Sequence, residues 1–131
     1  MRYVISVDQS TSATKAFLVD ETGAIVRRAS RPHRQYYPAP GRAEHDAQEI
    51  WRNVEAIISE VSDGLEKERI AAISLSNQRE TTVVWDHVTG EPVCPAIVWQ
   101  DVRGEASCRA LAASAEHIHD VTGLPLSPYF P

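Results

Sequence analysis

A short stretch near the N-terminus, "DQSTSATK", combines a carboxylate, several hydroxyls and a cation. The backbone N–H groups of such a polar turn can donate hydrogen bonds to phosphate oxygens, while Asp8 can hold a hydrated Mg²⁺ and Lys15 adds a positive charge. The hydroxyl donors are Ser10, Thr11, Ser12 and Thr14. The alternative is a plain turn between two strands that favours Ser and Thr for its conformation.

A second polar run, Asn77 to Glu80, lies between two apolar stretches. Burying a lone ion costs several kcal/mol, so this run must reach water, pair internally or face a polar ligand. Arg79 supplies a fork of donors and Glu80 supplies acceptors, which suits a polyhydroxy ligand whose hydroxyls both give and receive hydrogen bonds. The alternative is an exposed turn with an incidental ion pair worth about 0 to 1 kcal/mol.

The stretch "IVWQDVR" ends an apolar run with Trp99 and adds the polar Gln100 and Asp101. An indole there can form a flat wall for the C–H face of a polyol, although a core Trp is an equal alternative. The spacing of Trp51 and the setting of Trp85 favour packing roles.

Alternating and helical patterns predict the elements that position these residues. Strands over Arg2–Val7, Lys15–Asp20 and Ala24–Ser30, joined by tight turns, predict an antiparallel meander. A helix begins at Asp46, whose N-cap side chain forms a capping box with Glu49. Its apolar positions are Ile50, Trp51, Val54, Ile57, Ile58 and Val61.

The second half of the chain predicts further strands and short helices. Residues 70–76 read as a buried strand, and residues 81–86 and 94–99 as two more. Asp101 is a candidate cap for a helix through residue 114, and Gly123 ends a short helix before a Pro-rich extended tail. Residues 31–45, rich in Pro, predict an ordered loop without strand or helix. The fold class is therefore α/β with a mixed, partly antiparallel sheet.

Length and composition fit one ordinary domain. The chain has 131 residues, 43% of them hydrophobic, and a net charge of -5. No Lys/Arg stripe favours a nucleic-acid partner. Cys94 and Cys108 form no disulfide framework, which predicts a reducing compartment and buried or half-buried thiols. The N-terminal apolar run is too short for a signal peptide or membrane span, so we expect a cytoplasmic protein.

Five blocks of sequence resemble the FGGY family of carbohydrate kinases, in order and at close to the family's spacing. They are "YVISVDQSTSATKAFLVDETG", "GRAEHDAQEIW", "IAAISLSNQRETTVVWDHVTG", "AIVWQDVR" and "VTGLPLSPYF". The resemblance covers nearly the whole chain. It implies an actin-like, ribonuclease H-like fold of two domains that close over ATP, Mg²⁺ and a polyol.

The resemblance also assigns roles to residues of this chain. It places the nucleotide phosphates at Asp8, Thr11, Ser12, Ala13 and Lys15, with Asp8 on the metal. It places the polyol hydroxyls at Arg79, Glu80 and Tyr129, with Trp99 as a hydrophobic wall.

The blocks "NQRETTVVWD" and "GLPLSPYF" resemble the members that phosphorylate glycerol more than those that act on xylulose or ribulose. Glycerol is thus the expected substrate. Another polyol or ketose, or a non-catalytic actin-like binding module, are the alternatives. A homo-oligomer is left open.

Three departures from the family pattern stand out. Members that act on glycerol usually have Gly at the position of Ser10 and Arg at the position of Lys15. The family's general-base Asp and its adenine-binding domain lie downstream of the position matching residue 131. We therefore expect residues 1–131 to form the N-terminal part of the polyol-binding N-terminal domain, without the rest of that domain or the nucleotide domain, and to be inactive alone.

Overall fold

The computed structural model describes residues 1–130, which group into two compact units. The first unit comprises Met1–Arg34 and Asp46–Gln78, and the second comprises Gln35–His45 and the chain from Arg79 onward. In chain order the elements are β1 (Tyr3–Gln9), β2 (Ala13–Asp20), β3 (Ile25–Pro32), β4 (Gln35–Tyr36), β5 (Glu44–His45), α1 (Ala47–Ser62), β6 (Ile70–Asn77), β7 (Ala96–Ile97), α2 (Glu105–Ala110) and α3 (Ala115–Thr122). Single 3₁₀ turns occupy Lys67–Arg69 and Ala112–Ser114.

The first unit is built on a four-stranded sheet of order β3-β2-β1-β6. The pairs β1–β2 and β2–β3 are antiparallel, and β1–β6 is parallel. The predicted meander and the predicted mixed α/β sheet are thereby confirmed. The turn between β2 and β3 is fixed by Asp20, whose carboxylate accepts hydrogen bonds from Thr22 and Ala24. The Thr22 hydroxyl is the main reason that the pKa of Asp20 is lowered.

One face of this sheet carries the core of the first unit, because alternate residues of β1 and β2 point toward α1. The buried cluster consists of Ile5, Val7, Ala16, Leu18, Ala29, Ile57 and Val61. Ile57 and Val61 are one helical turn apart on α1 and so lie on one face of the helix. Gln9 and Thr14 continue the buried side at the end of the β1–β2 ladder.

The start of α1 agrees in part with the sequence. Asp46 is the N-cap, and its carboxylate accepts a hydrogen bond from Gln48 N at 2.8 Å. Glu49, expected to complete a capping box, instead accepts a hydrogen bond from Arg34 N at 3.1 Å. Trp51 has the spacing of a core residue but is 58% exposed, so that prediction was wrong.

The strand β6 lies at an edge of the sheet and is exposed, contrary to the prediction of a buried strand. Its apolar run is typical of a parallel strand covered on both faces. In residues 1–130, however, α1 packs on β1, β2 and β3. An apolar run therefore does not by itself show which elements cover a strand.

The second unit contains a small antiparallel sheet of order β4-β5-β7. The segment predicted as a plain loop therefore contains β4 and β5, because two residues of each strand suffice to form a ladder. Residues 81–86 form only isolated bridges, at Thr82 and Trp85, and β7 is limited to Ala96–Ile97. Those two predicted strands are thus mostly irregular backbone.

The helices of the second unit are short. α2 follows Gly104, so Asp101 is not its cap, while α3 ends as predicted at Gly123, which has φ 73°. Trp85 is exposed and so is not a packing residue, and Cys94 is exposed instead of half-buried. Within the described residues, no helix has both the length and the apolar composition needed to cross a membrane.

Candidate functional site

The polar turn between β1 and β2 is closed by Ser10. Its backbone N–H and its hydroxyl both donate to the carbonyl of Ala13, each at 2.9 Å. Among the described residues other than Gly, only Glu80 has a positive φ. Ser10 therefore fits this turn without the left-handed strain that would favour Gly.

His33 supports this turn from β3's C-terminal side. Its side chain is buried, and Nε2 donates a hydrogen bond to the carbonyl of Thr11 at 2.7 Å, which requires the proton on Nε2. Its backbone N–H also donates to the carbonyl of Ser12 at 3.3 Å. Two consecutive carbonyls of the turn are thus held by one residue. Sequence reasoning missed His33 because a lone His after a strand carries no local signal.

Asp8 and Lys15 are direct partners across the β1–β2 ladder. Directly opposed residues of antiparallel strands project from the same face, so the carboxylate and the ammonium share one side of the sheet. Ser76, the β6 partner of Asp8, donates its hydroxyl to Asp8 Oδ1 at 3.4 Å. The two charges predicted to contact phosphate and metal therefore lie on the sheet face opposite the core.

Thr14 does not join them. It alternates to the core side and is 0% exposed, so its hydroxyl is not available to a phosphate. This corrects the prediction that all four hydroxyls of the turn are donors. No group of three His, Cys, Asp or Glu side chains within residues 1–130 is arranged to hold a metal ion.

Arg79 and Glu80 are the first two candidate polyol-binding residues of the second unit. Arg79 is exposed and Glu80 half-buried, and in residues 1–130 neither side chain makes a hydrogen bond or ion pair. Of the alternatives left open by the sequence, internal pairing of Arg79 with Glu80 is therefore excluded, and contact with water or a polar ligand remains. Glu80 has φ 62°, a left-handed conformation that is uncommon for a residue other than Gly. The guanidinium and the carboxylate thus keep their hydrogen-bonding capacity for a ligand.

A backbone bridge places Glu80 near Trp99. Thr82 and Ile97 exchange two hydrogen bonds, of 2.8 and 2.9 Å, in an antiparallel bridge. Glu80 precedes Thr82 by two residues and Trp99 follows Ile97 by two. In antiparallel pairing both therefore lie at the same end of the bridge. This brings two of the predicted polyol residues into one neighbourhood.

Tyr129 completes the group through its ring. The rings of Trp99 and Tyr129 are 5.9 Å apart and inclined by 64°, an edge-to-face contact. Phe130 also makes an edge-to-face contact with Tyr129, with centroids 4.9 Å apart. Tyr129, near the end of the described residues, thus packs on Trp99 of its own unit. Trp99, predicted as an apolar wall, is thus in contact with a second aromatic ring.

An ion network lies just beyond Trp99. Asp101 is 3% exposed, and its carboxylate accepts hydrogen bonds from Arg103 Nε at 2.8 Å and Arg103 Nη2 at 2.7 Å. Arg103 Nη2 also donates to Glu44 at 2.6 Å, and Ala43 N donates to Asp101 at 2.8 Å. The Arg103 guanidinium lowers the pKa of Asp101 to about 2, and this carboxylate in turn raises the pKa of Arg103. The network joins Ala43 and Glu44, at the start of β5, to the segment after β7.

Comparison with known sequences places this geometry in context. A sequence profile described as the FGGY family of carbohydrate kinases, N-terminal domain, matches residues 3–131. The chain belongs to the FGGY family. The family predicted from the five sequence blocks and the α/β fold are therefore both confirmed.

Similar FGGY-family sequences include several glycerol kinases. Glycerol kinase 2 of Streptomyces avermitilis is 45% identical over 133 residues, covering 98% of this chain and 26% of its own length. A glycerol kinase of Methylorubrum extorquens is 47% identical over 129 residues, covering 95% of this chain and 26% of its own length. The chain thus spans about a quarter of the length of these FGGY relatives.

Solved structures of FGGY kinases share the fold. Plasmodium falciparum glycerol kinase with ADP superposes with a TM-score of 0.87 at 36% identity, covering 99% of this chain and 27% of that one. Ligand-bound xylulose kinase from Lactobacillus acidophilus gives a TM-score of 0.89 at 28% identity, covering 98% and 26%. The backbone is therefore common to members that act on different substrates.

Proposed function

We propose that this chain supplies the polyol-binding residues and the phosphate turn of an ATP-dependent carbohydrate kinase that acts on glycerol. ATP donates its γ-phosphoryl group to a terminal hydroxyl of the polyol. The observation that supports the proposal most is the ring contact of Trp99 with Tyr129, together with the Thr82–Ile97 bridge that lies two residues from both Glu80 and Trp99. Identity of 41–47% to glycerol kinases favours glycerol among the polyols.

The roles follow from the chemistry of each side chain. The guanidinium of Arg79 donates hydrogen bonds to the oxygens of neighbouring polyol hydroxyls. The carboxylate of Glu80 accepts hydrogen bonds from those hydroxyls. The ring pair Trp99–Tyr129 packs against the C–H face of the carbon chain. A substrate that lacked one hydroxyl would leave a charged group unsatisfied, at a cost of roughly 1 to 3 kcal/mol.

The phosphates of the nucleotide would be bound by the turn between β1 and β2 in the first unit. Thr11, Ser12 and Ala13 would present backbone N–H groups to phosphate oxygens, with Lys15 as a point charge. Asp8 would hold Mg²⁺ through water, and the metal would neutralise charge on the transferred phosphoryl group. Phosphoryl transfer depends mostly on positioning and charge stabilisation, so the chain's part in catalysis is to hold the two reactants.

We also propose that the isolated chain does not turn over ATP. No residue of the chain is assigned the role of general base. Glycerol-dependent ADP release by the purified 131-residue chain, above a blank without glycerol, would overturn this part.

Binding can be tested on the chain itself. Titration with glycerol, followed by NMR of the three Trp indoles, should shift the Trp99 signal while those of the exposed Trp51 and Trp85 stay in place. Equal shifts of all three indoles, or none, would reject the polyol site. The two exposed indoles serve as controls inside the same molecule.

Turnover can be tested in a chimera. Residues 1–131 would replace the matching first quarter of Bacillus licheniformis glycerol kinase, to which the chain is 44% identical. We expect glycerol phosphorylation by the chimera. In it, Arg79→Ala should raise the KM for glycerol 10- to 100-fold, about 1.4 to 2.7 kcal/mol, while Arg28→Ala on the exposed strand β3 should not. An unchanged KM would remove Arg79 from the site.

A ketose substrate is the second candidate. The backbone superposes on a xylulose kinase as closely as on a glycerol kinase. Comparing kcat/KM for glycerol and for xylulose in the same chimera separates the two. Binding without turnover in any chimera would favour the non-catalytic module instead.

A further inference from the structure

The helix α1 holds the backbone on both sides of His33, whose side chain is 6% exposed. The carbonyl of Pro32, just before it, accepts a hydrogen bond from Asn53 Nδ2 at 3.2 Å. The N–H of Arg34, just after it, donates to the carboxylate of Glu49 at 3.1 Å. Asn53 and Glu49 are four residues apart on α1 and so share one face of the helix. The position of His33 is therefore fixed from within the first unit.

His33 in turn holds two consecutive peptide groups of the turn between β1 and β2. Its Nε2 donates to the carbonyl of Thr11 at 2.7 Å, and its backbone N–H donates to the carbonyl of Ser12 at 3.3 Å. The next carbonyl, that of Ala13, accepts two hydrogen bonds from Ser10. Three successive carbonyls of the turn thus have fixed directions.

The directions of these carbonyls determine where the N–H groups of the turn point. In a trans peptide the C=O and the N–H point in opposite directions, and residues 1–130 contain no cis peptide bond. The carbonyl of Thr11 faces His33, so the N–H of Ser12, in the same peptide group, points away from His33. By the same argument the N–H of Ala13 points away from β3. Successive N–H groups in a turn form the kind of concavity that binds phosphate oxygens.

We propose that His33 is a positioning residue for the phosphates of the nucleotide. By holding the carbonyls of Thr11 and Ser12, it directs the N–H groups of Ser12 and Ala13 toward phosphate oxygens before ATP binds. A turn that is already in its binding conformation loses less conformational entropy on binding, which raises affinity. This inference rests on the proposed function, since it requires the phosphates to bind at this turn. It gives a role to a residue that itself contacts no phosphate.

NMR of the ¹⁵N-labelled chain, titrated with Mg·ATP to millimolar concentration, tests the inference without requiring turnover. The amide signals of Ser12 and Ala13 should shift in the parent chain. His33→Leu removes the imidazole donor and should raise the dissociation constant about three- to tenfold, the range expected for one lost hydrogen bond. His33→Gln, which keeps an N–H donor at a similar reach, should stay close to the parent value. The matched control is His87→Leu, the same exchange at an exposed His, which should leave the constant unchanged.

A glycerol titration separates positioning from a general structural role. The glycerol-dependent shift of the Trp99 indole should be the same in the parent chain and in His33→Leu. In the chimera, His33→Leu should likewise raise the KM for ATP and leave the KM for glycerol unchanged. Equal weakening of both ligands would mean that His33 supports only the fold, and would overturn the inference.

The remaining outcomes distinguish this inference from the proposed function. If the parent amides respond but His33→Leu binds Mg·ATP as tightly, or His33→Gln binds as weakly as His33→Leu, only the role of His33 is lost. If neither Ser12 nor Ala13 responds in the parent, the phosphate-binding role of the turn fails as well, while the Trp99 test of the polyol site is unaffected. Dispersion of the amide signals reports folding. Should His33→Leu not fold, His33→Phe takes its place, because it keeps a flat ring and removes the donor.

Discussion

The carboxylate of Asp101 and the guanidinium of Arg103 form a two-point ion pair, with both Asp101 oxygens bonded at 2.7–2.8 Å and the acid 3% exposed. Two parallel charge-assisted hydrogen bonds fix both distance and orientation. Because Arg103 also reaches Glu44, the pair links two separate segments of the second unit. Its contribution to stability can therefore be measured apart from any activity.

Removing the charge of Asp101 should destabilise the chain. Asp101→Asn leaves Arg103 with one carboxylate and weakens the acceptor for Ala43 N, so we expect a loss of about 2 to 3 kcal/mol in unfolding free energy. Urea denaturation measures it. Glu105→Gln, which breaks the exposed pair with Arg109, is the control and should cost no more than about 0.5 kcal/mol. Equal losses for the two variants would contradict the role of Asp101.

The same carboxylate predicts a pH dependence. Its pKa is about 2 in the folded chain because of Arg103, against about 3.9 in an unfolded chain. A carboxyl with a lowered pKa stabilises the folded state above the unfolded pKa, and this stabilisation is lost as pH falls from about 5 toward 2. It amounts to about 2 to 3 kcal/mol. Denaturation at a series of acidic pH values should show a steeper loss in the parent than in Asp101→Asn, and parallel curves would refute the assignment.

Glu80 holds its side chain at the cost of backbone strain. At φ 62° a residue with a Cβ is about 1 kcal/mol less stable than Gly, so Glu80→Gly should raise the unfolding free energy by about that amount. Glu80→Ala keeps the Cβ and should not. In the chimera both variants should raise the KM for glycerol, because both remove the carboxylate. Glu55→Gly, in the exposed middle of α1, should instead lose about 1 kcal/mol.

Thr14 predicts a stabilising substitution. Its hydroxyl is fully buried and has no hydrogen-bond partner within the described residues. Thr14→Val keeps the shape and removes the unsatisfied group, so we expect a gain of about 1 kcal/mol, measured by thermal or urea denaturation. A loss of similar size would mean that the hydroxyl is satisfied in solution.

Local patterns predicted much of the first unit. The strand alternation from Tyr3 to Pro32 and the Asp46 cap depend on neighbours in sequence, and both were recognisable. Burial was harder to predict, as Trp51 and β6 illustrate. Whether an apolar side chain is covered depends on elements elsewhere in the chain, which helical spacing and apolar runs do not reveal.

The sequence identified the candidate site residues by their chemical type, but it did not reveal the contacts that hold them in place. Trp99 could be singled out because it ends an apolar run, whereas its contact with Tyr129 joins residues thirty positions apart. The pair of Asp101 with Arg103 could not be predicted from the sequence either, because the contact of two side chains two positions apart depends on the local backbone conformation. The positive φ of Glu80 is a third such feature, because Glu carries no preference for that conformation.

The shape of the turn between β1 and β2 depends on β3, a strand that carries none of the proposed ligand-binding residues. His33, next to the end of β3, holds the carbonyls of Thr11 and Ser12. Inserting a single residue into β3 would rotate the imidazole to the opposite side of the sheet and leave the turn without that support. We therefore expect β3 to tolerate insertions poorly, because the turn between β1 and β2 depends on the position of His33.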